Sequence, residues 1–261
     1  MRLLQPLVRR DILVLGYLQE FPKIGVDSKG GVSMIQGILT ALCAAFVISF
    51  LYVEYKKKYV AAVILKGLAS LSFVAVGFIF NMVSESPKIT DMIFAGLVIG
   101  FIADILLNLR FVFEKKGQMI FLVGILVFLA GHIVYLIAVF PLSAYKIISV
   151  IAGVVLTTAL MIWILGRITA KPAFKAFGVV YLGAIMLLNC VAISNVITMP
   201  NFFTIVFAVG AVLFLVSDIL LILNTFGGKF RQGLRNANIG LYYAGQHLIA
   251  TSILWFVVNR L

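Results

Sequence analysis

The segment GLVIGFIADILLNL, Gly96 to Leu109, is apolar except at Asp104 and Asn108, and 114 residues later the chain repeats it as GAVLFLVSDILLIL, Gly210 to Leu223, with Asp218 in the matching place. Aligned without a gap, the two share Gly96/Gly210, Val98/Val212, Leu109/Leu223 and the whole Asp-Ile-Leu-Leu run. Segments this apolar are material for membrane-spanning helices. A carboxylate in the middle of such a helix costs on the order of 3 kcal/mol even on the lenient insertion scale, so two in equivalent places point to chemistry or ion binding.

The rest of the chain has the same character. With 63% hydrophobic and 11% charged residues over 261 positions, an ordinary soluble domain is excluded. Apolar stretches of at least ~18 residues predict eight helices, near 34–53, 59–80, 92–109, 119–140, 145–164, 174–197, 202–223 and 238–259. All six prolines (Pro6, Pro22, Pro87, Pro141, Pro172, Pro200) fall in connections or at segment edges, so the helices are expected to run unbroken. A membrane β-barrel is excluded because the runs are continuously apolar, without period-two alternation. The expected fold is an all-α membrane protein of eight transmembrane helices, multi-pass in a bacterial inner membrane or a eukaryotic endomembrane.

Basic residues gather in alternate connections. Those after helices one, three, five and seven carry Lys56, Lys57 and Lys58; Arg110, Lys115 and Lys116; Arg167, Lys171 and Lys175; and Lys229, Arg231 and Arg235, whereas the others carry only Lys88 and Lys146. The positive-inside rule makes the first set cytoplasmic and puts both termini on the opposite side. These flanks account for the net charge of +12 through attraction to anionic lipid, so no nucleic-acid partner is called for. Residues 1–32 lack an apolar run long enough to span and show no small-residue cleavage site. They read as an interfacial segment, with Leu3, Leu4, Leu7 and Val8 at helical spacing, ahead of a transmembrane domain over 33–261. Cys43 and Cys190 fall inside predicted spans, where they are small packing residues without redox information.

The 114-residue offset reaches beyond the aspartates. Ala130-Gly131-His132 maps onto Ala244-Gly245-Gln246, and spans one and two map onto five and six. The chain reads as a tandem duplication of a four-helix unit, with halves of about 33–140 and 145–259. Four is even, so both halves insert the same way, and a pseudo-twofold axis along the membrane normal would let Asp104 and Asp218 face one another at equal depth. At 1.5 Å per residue each lies roughly 7–9 Å inside the cytoplasmic end of its helix. Several helices carry small residues, which permits a homodimer.

Five Asp, Glu, Lys, Arg or His side chains lie well inside the predicted spans, away from their ends: Lys66, Asp104, His132, Asp218 and His247. Lys66 either snorkels to the interface or shares the depth of the aspartates, and the histidines are either satisfied by helix contacts or part of a site. In the first half, Ala103-Asp104-x-x-Leu107 and the later His132-x-x-Tyr135 resemble the YhhN-like lysoplasmalogenase family of eight-helix membrane proteins. In the second half the match is closer, through Ser217-Asp218, Leu223-Asn224-x-Phe226 and the run from Tyr242-Tyr243 to Gln246; Lys66-x-Leu68 fits as well. The resemblance runs from about residue 60 to 256. The chain departs from the family in having Ala103 where glycine is common before the first aspartate, and in lacking a proline after Lys66. His247 has no counterpart in the pattern.

This resemblance implies hydrolysis of the vinyl ether bond of a lysoplasmalogen or related lysolipid, to a fatty aldehyde and glycerophospho-ethanolamine or -choline. Such a reaction begins with protonation of the alkenyl carbon distal to the ether oxygen. It needs a positioned acid and a negative group beside the resulting oxocarbenium ion, which a half-protonated carboxyl pair supplies. Asp104 and Asp218 are the candidate pair, with Asp218 the more directly chemical member. Lys66 is a candidate to keep one aspartate ionised. His132, Tyr135, Asn224, Tyr242 and Gln246 are candidates to orient water or hold the ether oxygen, and Asn108, Arg110, Lys229 and Arg231 stand at the cytoplasmic mouth where a phosphate would sit. No cofactor or metal is expected, since the aspartates and His132 show no legible three-ligand spacing. Ser217 lacks the G-x-S-x-G setting of a serine hydrolase. The rival readings are a proton-coupled carrier using the same carboxylates, weakened by the lack of proline-broken helices, and a noncatalytic lipid-binding scaffold.

Overall fold

The computed structural model describes residues 29–84 and 87–258. Among them are eight long helices and no strand: α1 (Lys29–Tyr55), α2 (Tyr59–Met82), α3 (Pro87–Leu109), α4 (Gly117–Val139), α5 (Lys146–Leu165), α6 (Pro172–Thr198), α7 (Phe202–Phe226) and α8 (Gln232–Ser252). A short α9 (Trp255–Val258) follows, and 3-10 turns over Glu114–Lys116 and Phe140–Leu142 flank α4. The chain divides into two units, Met1–Ile38 and Leu39–Leu261. Of the first, only the opening of α1 is described, and the interfacial segment expected over 1–32 lies almost wholly outside the described residues.

Helices α1 to α7 are each long and apolar enough to cross a membrane, and the protein is an integral multi-pass membrane protein. Proline falls where it leaves helices intact: Pro87 and Pro172 are first helical residues, Pro141 sits in a 3-10 turn, and Pro200 lies in the link before α7. That link is closed by a capping box, in which Asn201 Oδ1 accepts from the Thr204 amide at 3.0 Å while the Asn201 amide donates to Thr204 Oγ1 at 3.1 Å.

The eighth helix differs from the expected 238–259: it begins at Gln232, ends at Ser252 and is more polar than the other seven. Its polar side chains Arg235, Asn238, Gln246, His247 and Ser252 are all buried. A window chosen for apolarity finds this helix but sets its ends too far along the chain, because its first turns carry polar groups.

The heaviest packing is α3 on α4 and α7 on α8, and across the halves α4 meets α6 while α8 meets α2. That pattern maps onto itself when each helix is exchanged for its equivalent four helices along. The burial pattern repeats too: Thr90, Ile93, Gly96, Leu97, Gly100, Ala103 and Asp104 of α3 are buried, and so are Thr204, Phe207, Gly210, Ala211, Phe214, Ser217 and Asp218, each 114 residues later on α7. Glycines make the paired crossings. A Cβ on Gly131 would lie 3.5 Å from the Gly96 carbonyl oxygen, and one on Gly245 would lie 2.8 Å from that of Gly210. Between α2 and α6 the register changes by one. The buried Lys66, Ser70, Phe73, Val76, Gly77 and Phe80 correspond at an offset of 115 to the buried Tyr181, Ile185, Leu188, Val191, Ala192 and Asn195. At 114 the counterpart of Lys66 is Val180, which is 60% exposed and turned away from the interior.

Candidate active site

Helix α3 carries Asp104 into a place that α2 and α8 enclose. Lys66 of α2 reaches it with Nζ 3.0 Å from Oδ1. Ser70, one turn beyond Lys66 on the same face of α2, donates its hydroxyl to Oδ2 at 2.6 Å, and Tyr242 of α8 donates to the same oxygen at 2.6 Å. These O–H···O distances lie in the range of charge-assisted bonds to a carboxylate. Tyr243 closes the cluster, its hydroxyl 3.0 Å from Ser70 Oγ and donating to the Lys66 carbonyl at 3.1 Å. Asp104 is 1% and Lys66 4% exposed, so the lysine ion-pairs inside the protein and does not snorkel.

Asp218, on α7, has a sparser setting. Tyr181 of α6 donates to its Oδ2 at 2.8 Å, the ordinary length of a neutral hydroxyl bond. No ion pair among the described residues includes Asp218. Beside it, Ser217 and Asn238 lock α7 to α8: Ser217 Oγ donates to the Asn238 carbonyl at 3.0 Å, and Asn238 Nδ2 donates to the Ser217 carbonyl at 2.9 Å. Asn238 is held in turn by Arg235, whose Nη1 lies 3.4 Å from its Oδ1 and whose Nε and Nη2 form a two-pronged bond to Glu54 of α1 at 3.0 and 2.7 Å. Arg235 is thus a buried structural cation, not only a charged flank.

Both aspartates, with Lys66, Tyr181, Asn238 and Tyr242, line one cavity of about 80 Å³. A single water needs roughly 10–15 Å³ by the same measure, so there is room for several waters or a slender chain. Apolar side chains such as Ile125, Phe128, Met161, Ile164 and Leu221 make up much of the remaining wall, which Asn108, Arg110, Lys175, Ser217, Thr225 and Arg235 interrupt. No group of three His, Cys, Asp or Glu among the described residues is arranged to hold a metal ion.

Of the residues singled out in the sequence, Lys66, Asp104, Asn108, Arg110, Asp218 and Tyr242 are brought together here, whereas His132, Tyr135, Asn224, Gln246, Lys229 and Arg231 do not line the cavity. His132 lies behind the wall, its Nδ1 2.8 Å from the Phe128 carbonyl and its ring 4.4 Å from that of Phe214; its Nε2 is buried without a hydrogen-bond partner. Tyr135 donates to Gln246 Oε1 at 2.9 Å, joining α4 to α8. Asn224 accepts from the Arg231 amide at 2.7 Å and so shapes the α7–α8 link. The sequence reading missed Ser70, Tyr181 and Asn238. Ser70 had a signal, its i+4 spacing from Lys66; Tyr181 was hidden by the one-residue change of register on α6.

Residues 61–253 match the family model described as YhhN family. No curated protein and no solved structure matches the chain.

Proposed function

We propose that this chain, which belongs to the YhhN family, hydrolyses the vinyl ether bond of a lysoplasmalogen inside the membrane. The observation that carries the reading is the unlike dress of two buried carboxyls on one cavity: Asp104 has a cation and two short hydroxyl donors, and Asp218 has a single phenol. The first is the partner set of an ionised carboxylate, the second that of a neutral acid able to give a proton.

In this mechanism Asp218 transfers its proton to the alkenyl carbon distal to the ether oxygen, and the positive charge appears on the neighbouring carbon and oxygen. The Asp218 carboxylate just formed, together with Asp104, stabilises that oxocarbenium ion in a site of low dielectric. A water in the cavity adds to the cationic carbon as Asp218 takes back a proton, giving a hemiacetal. Collapse breaks the bond to the glycerol oxygen, which receives the proton from Asp218, while the hemiacetal hydroxyl returns one to it. The products are a fatty aldehyde and a glycerophospho-alcohol, and the acid is regenerated. Lys66, Ser70 and Tyr242 hold Asp104 ionised and fixed throughout.

The test is purified protein in detergent given a lysoplasmalogen in deuterated water, with the aldehyde trapped as it forms. One deuterium on the carbon next to the aldehyde group is expected. No aldehyde sinks the proposal, and aldehyde without deuterium at that carbon removes protonation at carbon from it.

A further inference from the structure

Outside the carboxylate cavity lies a second one, about 400 Å³, which presents Tyr59, Phe111, Glu114 and Gln118. The two share a wall of Arg110, Phe121, Phe174, Thr225 and Phe226. Three of these rings form an aromatic neck, with centroids 6.4 Å (Phe121–Phe174), 6.2 Å (Phe121–Phe226) and 5.6 Å (Phe174–Phe226) apart. The Arg110 guanidinium lies in the neck, 4.3 Å over the Phe121 ring and 4.5 Å over Phe111. Its Nε is buried without a hydrogen-bond partner, and no ion pair among the described residues includes it. Burial lowers its pKa to about 10, which leaves it charged at neutral pH. A buried donor on a permanent cation is costly without an acceptor, so this one is poised for an anion that arrives from outside.

The spacing says which anion. Arg110 follows Asp104 by six positions, about 9 Å along a helix axis. In a single-chain vinyl ether phospholipid, six bonds separate the carbon that becomes cationic, the one Asp104 stabilises, from the phosphorus, a reach of roughly 7 Å when extended. The outer cavity also offers what the other end of a zwitterion needs: the Glu114 carboxylate, and the Tyr59 ring stacked on Phe111 at 5.5 Å. Lys229 and Arg231 line neither cavity.

We propose that the outer cavity is a headgroup site for a zwitterionic single-chain phospholipid, with Arg110 taking the phosphodiester and Glu114, Tyr59 and Phe111 taking the ammonium end. The site deepens the hydrolase reading and rests on it for the placing of the vinyl ether inside the neck. Its test uses ligands that cannot be turned over. Ester-linked lysophosphatidylethanolamine, lysophosphatidylglycerol and a monoacylglycerol of the same chain are titrated calorimetrically into detergent-solubilised wild type, Arg110→Gln and Glu114→Gln. Wild type is expected to favour the ethanolamine phospholipid over the monoacylglycerol. Arg110→Gln should weaken the phospholipid on the order of 10–100-fold and leave the monoacylglycerol unchanged, which also shows that the variant is folded. Glu114→Gln should reduce the preference for the ethanolamine over the glycerol headgroup about 3–10-fold. Equal binding of phospholipid and monoacylglycerol by wild type, or equal weakening of both by Arg110→Gln, overturns the site. Arg110-dependent binding in a protein that releases no aldehyde overturns the hydrolase reading and leaves the headgroup site standing.

Discussion

Asp104 and Asp218 sit at equivalent places in the two halves and meet opposite neighbours. In the helix before each aspartate, Lys66 and Tyr181 occupy the same place, as do Ser70 and Ile185; in the helix after, Phe128 of the first half corresponds to Tyr242 of the second. Only the last of these crosses between the halves: Tyr242 of the second half serves Asp104 of the first, and α8 packs on α2 as α4 packs on α6. Asp104 therefore collects a lysine, a serine and a tyrosine, and Asp218 takes a tyrosine, with Ile185 and Phe128 at the positions equivalent to Ser70 and Tyr242. A repeated frame delivers two carboxyls to one cavity, and the neighbouring helices give them different partners. A symmetric pair would share one proton with no preference; this pair has its asymmetry built in.

The sharpest way to break the comparison is to remove the acid. Asp218→Asn is expected to lower kcat about 10²–10⁴-fold with little change in thermal unfolding, because it removes a carboxyl that has one neutral partner; an Asp218→Asn enzyme at full rate takes Asp218 out of the chemistry. Asp104→Asn should behave differently. It leaves the Lys66 ammonium buried without its counter-charge, which destabilises by roughly 3–5 kcal/mol in addition to reducing turnover. The double variant Lys66→Met/Asp104→Asn should recover much of that stability, and detergent melting curves that instead show the two changes adding independently would mean the ion pair does not couple them.

A smaller effect is expected from the crossings. Gly245→Ala would place a methyl 2.8 Å from the Gly210 carbonyl oxygen, whereas Gly131→Ala meets the Gly96 carbonyl oxygen at 3.5 Å. The first should cost about 1–3 kcal/mol of stability and the second well under ~1 kcal/mol; equal melting temperatures would show that the α7–α8 crossing is no tighter than α3–α4. The least change is Phe128→Tyr, which restores on α4 the hydroxyl that Tyr242 carries on α8. A second donor favours the ionised form of Asp218 and is expected to slow turnover roughly three- to tenfold. A rate equal to wild type would show that the acid does not depend on its sparse surroundings.

Much of the candidate site was legible before any fold was known, since a charged residue within an apolar run stands out against everything around it. Asp104, Asp218 and Lys66 were found that way, and Arg110 and Asn108 by their place at the helix end. Polar residues whose partners come from distant helices were not so visible. Tyr181 reads as one more aromatic on an apolar helix until α6 is seen one residue out of register with the repeat, and Arg235 reads as a flanking charge until Glu54 is found 2.7 Å from it. His132 and Gln246 show the reverse: their motif is plain in the sequence, yet neither lines the cavity.

By itself the sequence determined the membrane class, the number of long helices, the recurrence at 114 residues and the place of the two carboxyls along their helices, because each follows from apolarity and spacing along one chain. Only the tertiary structure decided how each helix is turned about its axis. That rotation sends Lys66 to Asp104, leaves Asp218 with a phenol, buries the polar side of α8 and sets Arg110 in the neck between two cavities. The physical reason is that in lipid, where apolar helix faces are nearly interchangeable, hydropathy places a residue along the membrane normal but says little about which neighbour it meets. Packing at small residues and hydrogen bonds between helices settle the rest.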